Sequence, residues 1–388
     1  MLTRIKPLRN ISSQSVAKSL SLRYASKDAS TAKTVQQISG YEHLPNNSTV
    51  FSMIQPTGKF HIGNYLGAIK AWRTLSESNV EECKFIFGVA DLHAITIPKK
   101  STELKANRLE AMASILSSGI DPKKCILFYQ SAVPEHAELH WYLTCITSMG
   151  ALNRMTQWKS KQQEVESTSS KKFLFEHTKA GLFCYPVLQA ADVLMYNSTH
   201  VPVGDDQSQH LELCRAIATS FNDVYDTKFF NIPKTLLTPS QKILSLRNPT
   251  KKMSKSDKDQ KACVYVTDSP EEIQTKIRKA VTDSQQGPIY FDPVERPGVS
   301  NLINIISGIS NKPVDEVVKD LEGVTEHSVL KNRVADLLIE EFSKERDLYE
   351  KLMGDAAYLE QVYNQGRDQA REIASANIKQ IRKLIGMD

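Results

Sequence analysis

A chain of 388 residues has room for two or three domains and a sizeable core. Its 40% apolar and 24% charged residues are ordinary for a globular protein. No apolar run approaches the roughly 18 residues of a membrane helix, so no membrane partner is expected. The net charge of +5 matters less than where it lies. Residues 1–33 carry Arg4, Lys6, Arg9, Lys18, Arg23, Lys27 and Lys33 against Asp28 alone, a segment charge of +6, with seven serines. That is the composition of a mitochondrial transit peptide; a chloroplast leader looks similar, and a plain tail is the bland alternative. Taking +6 from +5 leaves about −1 for the rest, so global basicity gives no argument for nucleic-acid binding. The six cysteines (Cys83, Cys125, Cys145, Cys184, Cys214, Cys263) form no CxxC pair or zinc-finger spacing and read as buried free thiols, with no metal site.

In chain order, Val50 to Ile54 reads as a buried strand ended by Pro56-Thr57-Gly58. A helix pattern from about Asn64 places Tyr65, Leu66, Ile69 and Trp72 on one face. A second strand at Lys84 to Ala90, a helix over 102–118 and a third strand at Ile126 to Tyr129 follow. This alternation is the start of a doubly wound α/β fold with a parallel sheet. Helical patterns run from Leu139 to Met149 and from Leu182 to Tyr196, separated by a polar stretch, Lys159 to Lys172, that reads as a mobile loop. A short strand at Val201-Pro202-Val203 leads to a helix expected to start at Asp205-Asp206. Ser269-Pro270-Glu271-Glu272 is a helix start with cap, proline and acids in place, continued by Ile273, Ile277, Ala280 and Val281. Further helices are expected over 329–344, with Val334, Leu337, Leu338 and Phe342 as its stripe, and over 356–386. The expected organisation is a leader and linker over 1–45, a Rossmann-like catalytic domain over 46–268, and a separate all-helical domain over 269–388.

Two strings sit where open α/β sheets bind ligands. The first, Gln55 to Asn64, contains Gly58, His61 and Gly63 between a strand and a helix. Glycine lets backbone approach a phosphate, and the helix N-terminus would offer free N–H groups; a turn with a capping histidine is the plain alternative. The second, Lys251-Lys252-Met253-Ser254-Lys255-Ser256, is a candidate polyanion clamp, although most basic runs are solvated loops.

Together these strings resemble the two signatures of class I aminoacyl-tRNA synthetases. Phe51 to Gly58, Asp91 to Thr96, Arg154 to Lys159, Tyr185 to Asp192 and Val201 to Gln207 resemble the tryptophanyl family in matching order, from about residue 49 to the C-terminus. The resemblance implies ATP-dependent formation of tryptophanyl-adenylate and transfer to tRNA(Trp), with Mg²⁺ carried by the nucleotide. It implies nucleotide contacts from Gln55, Gly58, His61, Gly63, Asn64, Gly204, Asp206, Lys252, Met253, Ser254, Lys255 and Ser256. His61, Asn64, Lys252, Lys255 and Lys161 would act on the phosphates, though Lys161 also reads as a solvated loop lysine. Phe51, Gln55, His93, Tyr185, Gln189, Asp192, Val201, Val203 and Gln207 would form the tryptophan pocket, with Asp192 accepting the indole N–H. An Asp192 paired with a neighbouring helix is the structural alternative. Gln189 departs from the Met of many bacterial members and also resembles the Gln/Asp pair of tyrosyl enzymes. By resemblance the helical domain binds the anticodon, with Lys276, Arg278, Lys279, Arg333, Arg367 and Arg371 as candidate phosphate contacts. The family further implies a homodimer, and with the leader a place in the mitochondrial matrix. A small nucleotidylyltransferase and a former synthetase kept as an RNA-splicing factor are the competing classes.

Overall fold

The computed structural model describes residues 35–37, 44–77, 82–159, 178–204, 207–237, 242–255, 257 and 259–387. The leader, Lys161 with nearly all of the expected loop, Asp206 and Ser256 lie outside the described residues. Six parallel strands form one sheet: β1 (Val35–Gln37), β2 (Thr49–Ile54), β3 (Lys84–Val89), β4 (Ile126–Tyr129), β5 (His200–Val203) and β6 (Lys234–Leu237). Their order is β1-β6-β5-β2-β3-β4. The chain therefore steps outward from β2 through β3 and β4, then returns to the other side of β2 for β5 and β6. The crevice between β2 and β5 is the switch point at which such sheets bind ligands. The four strands expected from sequence are present. β1 and β6 are additions, and β1 falls within the span assigned to leader and linker; both are too short and too polar to stand out as apolar runs.

Side chains alternate across the sheet with the period of two that a strand imposes. Val50, Phe85, Phe87, Val89 and Leu127 point into one core with the helices α1 (Ile62–Asn64, Tyr65–Ile69 and Lys70–Glu77, run together) and α3 (Ser101–Ser117). The short α2 (Asp91–Ala94) follows β3. Phe51, Ile86 and Phe128 point into the opposite core, with α4 (Glu135–Ile146), α6 (Ala180–Met195) and α7 (Ser208–Val224). Two boundaries differ from the sequence reading. The helix expected to reach Met149 ends at Ile146, because Ser148 caps a separate α5 (Met149–Arg154). The helix expected at Asp205-Asp206 starts at Ser208. Of the cysteines, only Cys125, Cys214 and Cys263 are buried; Cys145 is exposed.

After Asp268 the named elements are all helices, with an irregular stretch over 279–296: α8 (Pro270–Arg278), α9 (Pro297–Ser310), α10 (Val314–Asp320), α11 (His327–Glu341), α12 (Ser343–Gly354) and α13 (Ala356–Ile385). α8 carries the expected capping box between Ser269 and Glu272. Ile273, Ile277 and Ala280 are buried, but Val281 lies beyond the helix and is exposed. These helices do not stand apart from the sheet. Leu359 and Val362 of α13 join the first core, whereas Ala370, Ala374, Ile378 and Ile381 join the second. Between them Gly366 lies so close to β4 that a Cβ there would overlap the Leu127 carbonyl. α13 thus covers the otherwise open β4 edge, which would be a site for unwanted strand pairing. Lys70 of α1 also donates to the Gly308 carbonyl at 2.7 Å, binding the two halves together.

Candidate active site

The first signature is a strand-to-helix turn built around one histidine. Gly58 adopts φ +87°, a conformation that side chains avoid, with Glu110 Oε2 2.9 Å from where its Cβ would be. His61 Nδ1 accepts from the backbone N–H of Gly63 (3.0 Å) and Asn64 (3.3 Å), and Asn64 Oδ1 accepts from the His61 N–H in return. A Cβ on residue 63 would sit 2.9 Å from His61 Cε1, so glycine there is what lets the imidazole fold over the helix end. Burial, with Lys255 and Lys252 nearby, lowers the His61 pKa to about 3. The ring is therefore neutral, and because Nδ1 accepts, its proton is on Nε2. Ile62 N–H meanwhile donates to the Val264 carbonyl at 2.9 Å. The expectation of free N–H groups at this helix start is thus corrected: His61 and Val264 already satisfy them. A π-helical turn, Tyr65–Ile69, follows directly, and Gly67 within it faces open space in the cavity.

The second signature is stitched to the first. Lys252 pairs with Leu244 in an antiparallel bridge, and Met253 is buried. Tyr265 bridges His61 antiparallel, and Val266 N–H donates to the Phe60 carbonyl at 2.9 Å. Lys255 Nζ donates to the Thr57 carbonyl at 3.2 Å, above the Phe60 ring. Burial lowers its pKa to about 8.

A cavity of about 710 Å³ opens at the ends of β2 and β5. All nine residues of the expected tryptophan pocket line it, as do His61, Gly63, Asn64, Gly204, Lys252 and Met253 of the expected nucleotide set. Gly58, Ser254 and Lys255 do not; Gly58 shapes the turn, and Lys255 reaches back to it. Asp192, 2% exposed, is the polar end of the pocket. It is not isolated: His93, His136 and Gln130 all bond to it. Burial pushes its pKa up, but the hydrogen bonds from His136 and His93 outweigh burial and hold it below the usual carboxylate range. Gln130, His136 and Tyr196, which close this network, escaped the sequence reading. Only their polarity beside apolar neighbours marks them, and sequence does not say what they face. Of the candidate phosphate contacts, Lys276 is held by Asp268 at 2.6 Å and Arg367 by Asp368 at 2.8 Å.

The family model described as tRNA synthetases class I (W and Y) matches residues 45–345. The mitochondrial tryptophan–tRNA ligase of Saccharomyces cerevisiae is 51% identical over 350 residues, 89% of this chain and 92% of the yeast protein. The tryptophan–tRNA ligase of Clostridium perfringens is 43% identical over 339 residues, covering 87% and 97%. The solved structure of tryptophanyl-tRNA synthetase from Campylobacter jejuni, complexed with ADP and tryptophan, is 31% identical with a TM-score of 0.69, covering 87% of this chain and 99% of that one. With the two signatures joined at one cavity and a match that spans most of its length, this chain belongs to the class I tRNA synthetases of the W and Y family.

Proposed function

We propose that this enzyme activates L-tryptophan with ATP and transfers it to tRNA(Trp) in the mitochondrial matrix. One observation carries the reading: both signatures and an anionic, apolar-walled pocket open into the same cavity. In the first step a tryptophan carboxylate oxygen attacks the ATP α-phosphorus, and the bond to the β-phosphate oxygen breaks to release pyrophosphate. In the second, a terminal tRNA hydroxyl attacks the adenylate carbonyl and AMP leaves. Neither step needs a covalent enzyme intermediate, so the protein contributes position and charge. We assign the neutral His61 Nε2–H and Asn64 to the phosphates, and Lys252 and Lys255 to the charge that develops on pyrophosphate. Mg²⁺ carried in with the nucleotide would add to this charge neutralisation, with Lys252 and Lys255 as the protein's own contribution. Phe51, Val201 and Val203 form apolar walls for the indole, and Asp192 takes its N–H.

Gln189 and Asp192 line the same cavity, with the Gln189 amide directed at Gln207 Oε1 (3.4 Å) and Asp192 held by two histidines and Gln130. Tryptophan is preferred over tyrosine on the strength of the tryptophan–tRNA ligases that this chain resembles. For a homodimer the support is an exposed apolar group around α4 and α5, with Trp141 64% and Met149 61% exposed. The helices after Asp268 are proposed to bind the anticodon. ATP–pyrophosphate exchange with tryptophan, tyrosine and phenylalanine tests the central claim: tryptophan alone should support it, and equal exchange with tyrosine would refute it.

A further inference from the structure

The Asp192 carboxylate is fully subscribed. Oδ1 accepts from His136 Nδ1 at 2.7 Å and Gln130 Nε2 at 2.8 Å. Oδ2 accepts from His93 Nε2 at 2.8 Å and Gln130 Nε2 at 2.9 Å. An ionised carboxylate has about four lone-pair sites, and four short contacts leave none for a ligand. An indole N–H that reaches Asp192 must take a position already held.

The three donors are not equally replaceable. Gln130 is wholly buried, and its Oε1 accepts from the backbone N–H groups of Leu92 and His93, which clamps the amide at both ends. His136 is wholly buried too: the acceptor-only carboxylate requires its Nδ1 to donate, which leaves Nε2 to accept from the Tyr196 hydroxyl at 2.9 Å. His93 is the one of the three that lines the cavity. Its backbone is pinned by Gln130 and by Thr96, whose hydroxyl donates to the His93 carbonyl at 2.8 Å. Its ring makes a single hydrogen bond among the described residues, to Asp192. A rotation of that side chain frees one acceptor position on Oδ2, where Gln130 stays bound, at the cost of the ring's edge contact with Tyr185.

We propose that His93 is a placeholder: in the empty pocket its Nε2–H occupies the acceptor position that the indole N–H takes, and tryptophan binds by exchanging one donor for the other. This deepens the reading of Asp192 as the indole anchor and rests on it. The exchange leaves the number of hydrogen bonds to Asp192 unchanged, so the carboxylate stays ionised and paired in both states. A phenyl ring that displaced His93 would bring no donor, and a buried oxygen left bare disfavours that complex.

The test is proton NMR on the full-length enzyme labelled with ¹⁵N-histidine. A low-field Nε2–H signal, assigned to His93 by its loss in His93→Asn, should be present in the unliganded enzyme. Saturating L-tryptophan should abolish it while the His136 Nδ1–H signal remains. Persistence of the His93 signal at saturation overturns the placeholder. Calorimetry with a tryptophan isostere whose indole N–H is replaced by sulfur (3-benzothienyl-L-alanine) separates the two levels. Binding as tight as that of tryptophan would sink the anchor reading itself, whereas weakened binding of the isostere together with a His93 signal that persists at saturating tryptophan would sink the placeholder alone.

Discussion

Replacing Asp192 by alanine should cost stability before it costs specificity. The carboxylate receives three donor groups, and in the alanine variant His93 can turn to the cavity, but His136 and Gln130 are wholly buried and are left facing a void. Each stranded donor costs about 1–3 kcal/mol, and breaking such a buried charged cluster typically costs about 3–5 kcal/mol in all. Against a total stability of about 5–15 kcal/mol this is a large fraction. Asparagine should be milder. His136 can invert its tautomer, accepting from the new amide at Nδ1 and donating to the Tyr196 oxygen from Nε2, which leaves only Gln130 opposed, at about 1–3 kcal/mol. Urea titration of the ligand-free variants, followed by fluorescence of the buried Trp72 and Trp158, measures both. The sign of the pH dependence follows from the depressed pKa. The stabilisation is present above the ordinary carboxylate range and is lost only as pH falls through the lower folded value, so the gap to Asp192→Asn should close in acid. An alanine variant within about 1 kcal/mol of the native enzyme, or one no less stable than the asparagine variant, would refute the reasoning.

Lys255, with its pKa lowered to about 8 by burial, loses its charge as pH rises through that value; kcat/KM for ATP in pyrophosphate exchange should therefore fall above about pH 8. Lys255→Arg, which stays charged, should remove that limb, and an unaltered profile would reject the assignment. Lys255→Ala should lower kcat for adenylate formation by about 10²-fold or more while the tryptophan Kd holds; equal losses in both would mean a binding role. Gly366→Ala should destabilise by about 1–3 kcal/mol, because its methyl meets the Leu127 carbonyl and forces α13 off the β4 edge; a thermal midpoint equal to that of the native enzyme would contradict that packing. Removal of residues 1–33 should abolish mitochondrial import and leave exchange activity in vitro intact, and import of the shortened chain would rule out the leader reading.

The sequence by itself determined what depends on neighbours along the chain. The apolar runs of β2, β3 and β4, the Ser269–Glu272 cap and the turn glycines are local matters, because period, capping and backbone freedom are decided within a few residues. The signature strings were legible for the same reason, and the pocket residues through their resemblance to a family. Only the tertiary structure decided what meets across the chain. It closed His61 over its own helix end, carried Lys255 to Thr57, and spread α13 across both cores. It also surrounded Asp192 with Gln130 and His136, which lie far from it in sequence. A donor and its acceptor must be within about 3 Å in space, whatever their separation along the backbone, and periodicity carries no record of that distance.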